Sequence, residues 1–215
     1  MPIAHVVFDI DGTLVDTEAA FQLSLQETAE QLLGRSPSMA ELNYTFSMTT
    51  EAALAALGFP DVPSAHKVWE KKCMEKLGMM RVYDGIPQLL DALLLRGYVL
   101  GIVSSSTRRE FQMVFGPLGL EDCFGRVVLA EDTKEHKPHP EPLLYYMKAT
   151  GAKANEVLFV GDSAGDMFCA KAAGTAGALA CWCRHPTEEA ETIYRISRPG
   201  QLLDLLLELE AAERL

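Results

Sequence analysis

The feature that most constrains the fold is a series of short segments that are apolar except for His5 and Glu156, separated by segments with helical periodicity. The apolar segments cover 3–8, 98–103, 127–130, 156–160 and 177–182. Strands that are apolar throughout, rather than alternating polar and apolar, are covered on both faces. Their alternation with helices therefore predicts an α/β fold built on a doubly wound parallel sheet.

The region between residues 16 and 83 differs from the rest of the chain. It has the periodicity of several helices but no convincing strand, and Thr17 is placed to cap the first of these helices. The sequence therefore predicts two domains. An α/β core comprises 1–15 and 84–215, and an all-helical domain comprising 16–83, called the cap below, is inserted after the first strand.

The charge and the cysteines limit the classes of partner and compartment. The formal net charge of −11 argues against nucleic acid or an anionic membrane as a partner, because both require a basic face. No apolar run approaches the length of a transmembrane helix, and no signal peptide is expected. The five cysteines are scattered without a metal-binding spacing, which is typical of free thiols in a reducing compartment. We expect a cytoplasmic monomer or homodimer.

Reactive side chains follow four of the predicted strands, at the point where each strand ends. They are Asp9 and Asp11, then Ser104, Ser105 and Ser106, then Lys137, and finally Asp162 with Asp166. Because ligands bind at the carboxyl ends of the strands in such sheets, these groups are expected to meet. A carboxylate nucleophile, a carboxyl group for proton transfer, oxygen ligands for Mg²⁺ and a cation for phosphoryl oxygens together suit phosphoryl transfer.

Each of these groups also has a simpler interpretation. The two N-terminal aspartates can end a strand in an Asx turn, and Ser104–Ser106 can cap the following helix. Asp166 can complement the dipole of its own helix. Lys134 competes with Lys137 for the position of the cation, although only Lys137 precedes a proline. The coincidence of four such segments favours a functional site.

Four sequence motifs resemble those of the haloacid dehalogenase superfamily. They are DIDGTLVD at 9–16, VSSS at 103–106, HKPHPE at 136–141 and VGDSAGD at 160–166. Their order and spacing are similar to those of the phosphoglycolate phosphatase-like and beta-phosphoglucomutase-like branch, which has a helical cap after the first motif. The resemblance implies a magnesium-dependent phosphatase that hydrolyses a small phosphorylated metabolite, such as phosphoglycolate or a sugar phosphate, through an aspartyl-phosphate intermediate.

The resemblance also implies a role for each matching residue. The nucleophile is Asp9, and the general acid and base is Asp11. The residues that bind the phosphoryl group of the substrate are Gly12, Ser104, Ser105 and Lys137. The ligands of Mg²⁺ are Asp9, Asp11 through its backbone carbonyl, Asp162 and Asp166.

Asp11 and the cap help to separate the activities within this superfamily. Members that cleave carbon–halogen or carbon–phosphorus bonds typically lack an acid at the position of Asp11, which argues against both activities. A sugar phosphomutase shares this acid and is an alternative, but it must hold a second phosphate, and the stretch 43–54 contains no lysine or arginine. A non-catalytic receiver module is a more distant alternative, since such modules have no helical insertion after their first strand.

Overall fold

The computed structural model describes residues 3–46, 48–183 and 194–212, so Ser47 in the stretch 43–54 lies outside the described residues. The strands are β1 His5–Phe8, β2 Val15–Asp16, β3 Arg81–Val82, β4 Val99–Val103, β5 Arg126–Val128, β6 Val157–Gly161, β7 Ala176–Ala180 and β8 Tyr194–Ile196. The α-helices are α1 Glu18–Leu33, α2 Met39–Thr45, α3 Thr50–Ala56, α4 Val62–Met74, α5 Ile86–Leu95, α6 Arg108–Val114, α7 Glu141–Thr150, α8 Ala164–Ala173 and α9 Gly200–Ala212. Within these ranges, none of the helices combines the length and the apolar character needed to span a bilayer.

Six of the strands form one parallel sheet in the order β5-β4-β1-β6-β7-β8. β1 lies near the centre, where Phe8 is in register with Ile102 of β4 and with Val160 of β6. The chain first builds the sheet on one side of β1, through β4 and β5, and then on the other side. This confirms the predicted α/β fold with a doubly wound parallel sheet.

Both faces of the sheet are buried, as wholly apolar strands require. On one face, Phe8, Ile102 and Val160 pack with side chains of α5, α6 and α9. On the other face, Val7 and Phe159 pack with side chains of α7 and α8. The helices thus cover both faces and leave the carboxyl edge of the central strands available for a site.

The inserted region is helical, with one short exception. Helices α1, α3 and α4 enclose an apolar cluster of their own around Trp69. At the two ends of the region, β2 and β3 form an antiparallel ribbon in which Asp16 pairs with Arg81. This ribbon was not expected, because a strand of two residues is too short to have a periodicity. Helix α2 and strand β8 were also not expected.

Thr17 precedes α1 as expected, but its side chain does not cap that helix. Its hydroxyl instead donates a hydrogen bond of 2.8 Å to Oδ1 of Asp11. The prediction that the Thr17 side chain is a helix cap is therefore wrong. The first turn of α1 contains Glu18, whose negative charge is favourable at a helix N-terminus.

Candidate active site

Three aspartates meet at the carboxyl edge of the central strands. Asp9 follows β1 and Asp162 follows β6, and because these strands are neighbours the two side chains lie close together. Asp166, in the first turn of α8, completes the cluster. One carboxylate oxygen from each residue lies within 4.8 Å of the other two, and all three residues are buried. The fold thus unites residues that are about 150 positions apart in the sequence.

Lys137 is the cation of this cluster, and its side chain is only 4% exposed. Its Nζ lies 2.9 Å from Oδ2 of Asp9 and 2.7 Å from Oδ1 of Asp166. Burial lowers the pKa of Lys137, but the carboxylates of Asp166 and Asp9 outweigh burial and raise the pKa above its usual value. Lys137 therefore stays charged at neutral pH. Its rival in the sequence, Lys134, is exposed.

One ammonium group does not neutralise three buried carboxylates. Burial raises the pKa of Asp9, and although Lys137 opposes this effect, the net direction is upward. Burial also raises the pKa of Asp162, and the charges of Asp166 and Asp9 raise it further. The cluster therefore lacks positive charge, and a hard divalent cation with oxygen ligands would supply it. The donor set fits Mg²⁺.

The turn after β1 brings backbone atoms against this cluster. Gly12 has a φ of +78°, in the left-handed region that favours glycine. A Cβ atom at this position would collide with the carboxylate of Asp162. The next residue, Thr13, donates a hydrogen bond of 3.3 Å from its hydroxyl to Oδ1 of Asp162. Glycine is therefore required here both by the backbone conformation and by the close approach to an acid.

Asp11 lines the same cavity as Asp9, but among the described residues its carboxylate is not part of the three-aspartate cluster. Its Oδ1 accepts the hydrogen bond from Thr17, and its Oδ2 accepts one of 2.9 Å from the hydroxyl of Ser106. Burial raises the pKa of Asp11, and these two hydrogen bonds oppose the rise without cancelling it. The raised pKa favours the protonated form, which can donate a proton.

Thr17 is a site residue that the sequence did not identify, and Ser106 was expected at this edge without a role of its own. Thr17 was predicted to serve the helix that follows it, and Ser106 was predicted only as part of a serine run. The Ser106 hydroxyl contacts Asp11 because the fold brings the loop after β4 to this edge, whereas Thr17 lies only 6 residues from Asp11 in the chain. The one available signal was that both residues can donate a hydrogen bond near a motif that contains an acid.

The serines after β4 do not cap a helix. The residue that caps α6 is Thr107, whose hydroxyl accepts a hydrogen bond of 3.2 Å from the backbone N–H of Glu110. The interpretation of Ser104–Ser106 as the helix cap is therefore wrong. Ser104 and Ser105 line the cavity beside the aspartates, and the buried Oγ of Ser105 has no partner within the described chain.

A cavity of about 600 Å³, measured to its open mouth, lies between the carboxyl edge of the sheet and the helices of the inserted region. The wall formed by the sheet edge includes Asp9, Asp11, Asp162, Lys137 and the three serines. The opposite wall includes Phe21, Thr45, Phe46, Met48, Thr50 and Trp69. One wall therefore carries charged groups and the other is uncharged.

Helix α6 links the two sides of the cavity through Glu110, a residue that is 2% exposed. Its Oε1 accepts a hydrogen bond of 2.5 Å from the Thr50 hydroxyl and lies 3.2 Å from Nε2 of His66. Burial raises the pKa of Glu110, but hydrogen bonds from His66 and Thr50 outweigh burial and lower it. The same contact raises the pKa of His66. Arg109 adds an ion pair with Glu70 of α4.

The family is decided by a match over most of the chain. Residues 6–180 match the haloacid dehalogenase-like hydrolase family. The chain belongs to this family. The resemblance inferred from the four motifs is thereby confirmed, and the phosphatase type of enzyme is confirmed by relatives within the family that are named as phosphatases.

Two curated members of the family illustrate the similarity. The chain is 30% identical over 182 residues to a phosphoglycolate phosphatase from Haemophilus influenzae. This alignment covers 79% of this chain and 81% of that protein. It is 26% identical over 210 residues to the pyrophosphatase PpaX from Oceanobacillus iheyensis. This alignment covers 90% of this chain and 91% of that protein.

Solved structures of haloacid dehalogenase proteins have the same fold. One is a Lactobacillus plantarum protein, provisionally described as a phosphoglycolate phosphatase, with a TM-score of 0.86 and 28% identity over 95% of this chain and all of that one. Another is a subfamily IA hydrolase from Geobacter sulfurreducens, with a TM-score of 0.70 and 26% identity over 95% of this chain and 96% of that one. The inserted helical region is therefore shared with other members of the family.

Proposed function

We propose that this protein is a magnesium-dependent phosphatase that hydrolyses a small phosphorylated metabolite through an aspartyl-phosphate intermediate. The observation that supports this most directly is the buried cluster of Asp9, Asp162, Asp166 and Lys137 beside Asp11. Such a cluster combines a nucleophile, a proton donor and a cation within one cavity. The names of the relatives, phosphoglycolate phosphatase and pyrophosphatase, agree with this class of reaction.

In the first step, a carboxylate oxygen of Asp9 bonds to the phosphorus while the phosphorus–oxygen bond to the leaving alcohol breaks. The ammonium group of Lys137 favours the ionised form of Asp9 and stabilises the charge on the phosphoryl oxygens. The carboxyl group of Asp11 donates its proton to the leaving oxygen. The products of this step are the free alcohol and an aspartyl phosphate.

In the second step, water attacks the phosphorus of the aspartyl phosphate, and the carboxylate of Asp11 accepts a proton from that water. The phosphorus–oxygen bond to Asp9 breaks, which releases inorganic phosphate and restores the Asp9 carboxylate and the protonated Asp11. Thr17 and Ser106 hold the carboxyl group of Asp11 in position during both transfers. The same acid therefore serves both steps.

We assign the metal site to Asp9, Asp162 and Asp166, with the backbone carbonyl of Asp11 as a further ligand. When bound, Mg²⁺ would neutralise negative charge on the cluster and on the phosphoryl oxygens of the substrate. We assign the binding of the remaining phosphoryl oxygens to Lys137 and to the backbone or hydroxyl groups of Gly12, Ser104 and Ser105. The unpartnered hydroxyl of Ser105 supports this assignment.

We also propose that residues 16–83 act as a cap that closes over a core of 1–15 and 84–215. The β2–β3 ribbon joins both crossings between the two parts, and Glu110 contacts the cap across the cavity. Closure of this kind excludes water and completes a site. Small-angle scattering with Mg²⁺ and a phosphate analogue is expected to show a more compact molecule, and an unchanged profile would contradict the closure.

The phosphatase proposal is tested by measuring release of inorganic phosphate from p-nitrophenyl phosphate, with Mg²⁺ and after chelation. We expect turnover that requires Mg²⁺ and returns when Mg²⁺ is restored. Stoichiometric phosphorylation by acetyl phosphate without turnover would instead indicate a receiver module. Isomerisation of a sugar phosphate would indicate a phosphomutase. Either result would replace the proposed function.

A further inference from the structure

The uncharged wall of the cavity restricts the charge that the leaving group of the substrate can carry. Among the cavity-lining residues in the described part of the chain, Lys137 is the only cation. Its ammonium group already lies between Asp9 and Asp166, on the opposite wall. Among the described residues, an anionic group that extended from the phosphate toward the cap would therefore find no basic side chain to pair with. Burying an unpaired anion is strongly unfavourable.

The two threonines of this wall offer hydrogen-bond acceptors rather than donors. The Thr45 hydroxyl donates its proton to the carbonyl oxygen of Leu42 over 3.0 Å. The Thr50 hydroxyl donates its proton to the carboxylate of Glu110. Each hydroxyl has a single proton, so only its lone pairs remain for a ligand. Lone pairs attract a hydroxyl donor of the substrate and repel a carboxylate or a phosphate.

Trp69 lies behind the apolar side chains of this wall and carries a buried hydrogen-bond donor. It is 2% exposed, lines the cavity and stacks edge-on against Phe21 at a centroid distance of 5.2 Å. Its buried Nε1 has no hydrogen-bond partner within the described chain. A buried indole N–H normally has a partner, and a neutral oxygen of a ligand would provide one. The wall thus combines apolar surface with two acceptors, and the unpartnered N–H of Trp69 lies buried beside them.

We propose that the preferred substrate is the phosphate monoester of an uncharged alcohol that has an apolar face and at least one further hydroxyl group. This inference rests on the phosphatase function proposed above. It goes beyond that function because it separates neutral leaving groups from anionic ones, such as a glycolate or a second phosphate. Discrimination arises from the missing cation and from the commitment of both threonine protons to Leu42 and Glu110.

The direct test compares two substrates that differ at one end of the leaving group. Glycerol 3-phosphate ends in a neutral CH₂OH group, and 3-phosphoglycerate ends in a carboxylate at the same position. We expect kcat/KM to be at least about tenfold higher for glycerol 3-phosphate, since a buried charge would be left unpaired in the other complex. Equal values, or a preference for 3-phosphoglycerate, would overturn the inference.

The requirement for a further hydroxyl is tested with n-propyl phosphate, which lacks the hydroxyl groups of glycerol 3-phosphate. We expect glycerol 3-phosphate to be the better substrate, since the lone pairs of Thr45 and Thr50 and the N–H of Trp69 stay unpaired with the propyl group. Substitution Thr45→Val is expected to reduce this preference. Equal kcat/KM for the two substrates in the unmodified protein would overturn this part of the inference.

The role of the missing cation is tested by adding one. Met48 is partly exposed and lines the cavity, so Met48→Lys places an ammonium group on the uncharged wall. We expect the ratio of kcat/KM for 3-phosphoglycerate to that for glycerol 3-phosphate to rise at least about tenfold. Met39→Lys, at a position that is 58% exposed and outside the cavity, adds the same charge and is expected to leave the ratio unchanged.

The outcomes distinguish the inference from the function on which it rests. Hydrolysis of p-nitrophenyl phosphate together with a preference for 3-phosphoglycerate would overturn the inference and leave the phosphatase function standing. Absence of phosphate release from every ester, p-nitrophenyl phosphate included, would overturn both. An equal shift of the ratio in Met48→Lys and Met39→Lys would show a general charge effect and would overturn the role of the cap wall.

Discussion

The cavity has a core wall, formed by the sheet edge around Asp9 and Lys137, and a cap wall, formed by inserted residues such as Thr50 and Trp69. The two walls differ in composition and in how many of their polar side chains already have partners. On the core wall, Lys137 forms ion pairs with two acids, and Asp11 accepts hydrogen bonds from two hydroxyls. The carboxylates still outnumber the cation, so a bound cation would neutralise the remaining negative charge. On the cap wall, the side chains that face the cavity are apolar or neutral, and Trp69 and the threonines keep unused hydrogen-bonding capacity. Under the functions proposed above, the core wall would perform the reaction and the cap wall would select the leaving group.

The largest effect is expected from a change to the nucleophile on the core wall. Asp9→Asn removes the attacking oxygen, so kcat for p-nitrophenyl phosphate should fall at least about 10³-fold. The fold should persist, because the side chain keeps its shape. Asp91→Asn, at an exposed helix position, is the matched control and should retain full activity. Substantial turnover by Asp9→Asn would show that another residue is the nucleophile and would contradict the role proposed for the core wall.

The next largest loss of activity is expected from a change to Asp11, the acid that lies outside the three-aspartate cluster. Asp11→Asn should lower kcat by about 10²- to 10⁴-fold, because it removes proton transfer in both steps. The aspartyl phosphate is expected to accumulate and to be visible by mass spectrometry of the intact protein. Thr17→Val removes one of the two hydrogen bonds to Asp11 and should cause a smaller loss. An effect of Thr17→Val on stability alone would deny it a positioning role.

Mg²⁺ should stabilise the protein through the core wall without any substrate present. At a concentration of about 100 times Kd, binding to the folded state adds about 2.7 kcal/mol, or roughly 5–10 °C in Tm for a chain of this size. Asp162→Asn should abolish most of this shift, which can be measured by thermal unfolding. Asp204→Asn, exposed on α9, should retain it. An undiminished shift in Asp162→Asn would move the metal site elsewhere.

The smallest effect is expected at the contact between the two walls. Glu110 raises the pKa of His66 above its usual value of 6.5. The contact therefore stabilises the fold fully below pH 6.5 and loses this contribution as the pH rises through the raised pKa. His66→Gln should lower the free energy of unfolding by roughly 1 kcal/mol at pH 6, with a smaller difference at high pH.

Chemical unfolding at several pH values measures this difference. The matched control is His139→Gln, at an exposed position outside this contact. A difference between the unmodified protein and His66→Gln that grows with pH would reverse the sign of the proposed linkage. Such a result would remove His66 as a protonated partner of Glu110.

The elements that the sequence predicts well are those whose signal is local. Wholly apolar strands such as β4 and β6, and helix α8 with its final glycine, are set by burial on both sides and by backbone preference. The carboxyl-edge rule then predicts from the amino-acid sequence alone that Asp9 and Asp162 lie at one edge of the sheet. Much of the site could therefore be predicted from the topology of the parallel sheet.

The contacts that the sequence does not reveal depend on pairs that are distant in the chain. Glu110 contacts Thr50 from 60 residues away, and Ser106 contacts Asp11 from 95 residues away. No periodicity encodes such pairs, and an acid in a helix is ordinarily a solvated one. Thr17 is a local exception. A threonine before a helix commonly caps that helix, but the Thr17 hydroxyl donates its hydrogen bond to Asp11, 6 residues earlier in the chain.

The β2–β3 ribbon has a consequence for how the molecule can change over time. It holds Val15 beside Val82, so the inserted segment begins and ends at nearly one point. A segment attached in this manner can grow, shrink or be exchanged without shifting the register of any strand in the six-stranded sheet. New leaving-group preferences can therefore arise by rebuilding the inserted helices while the chemistry of the reaction is inherited intact.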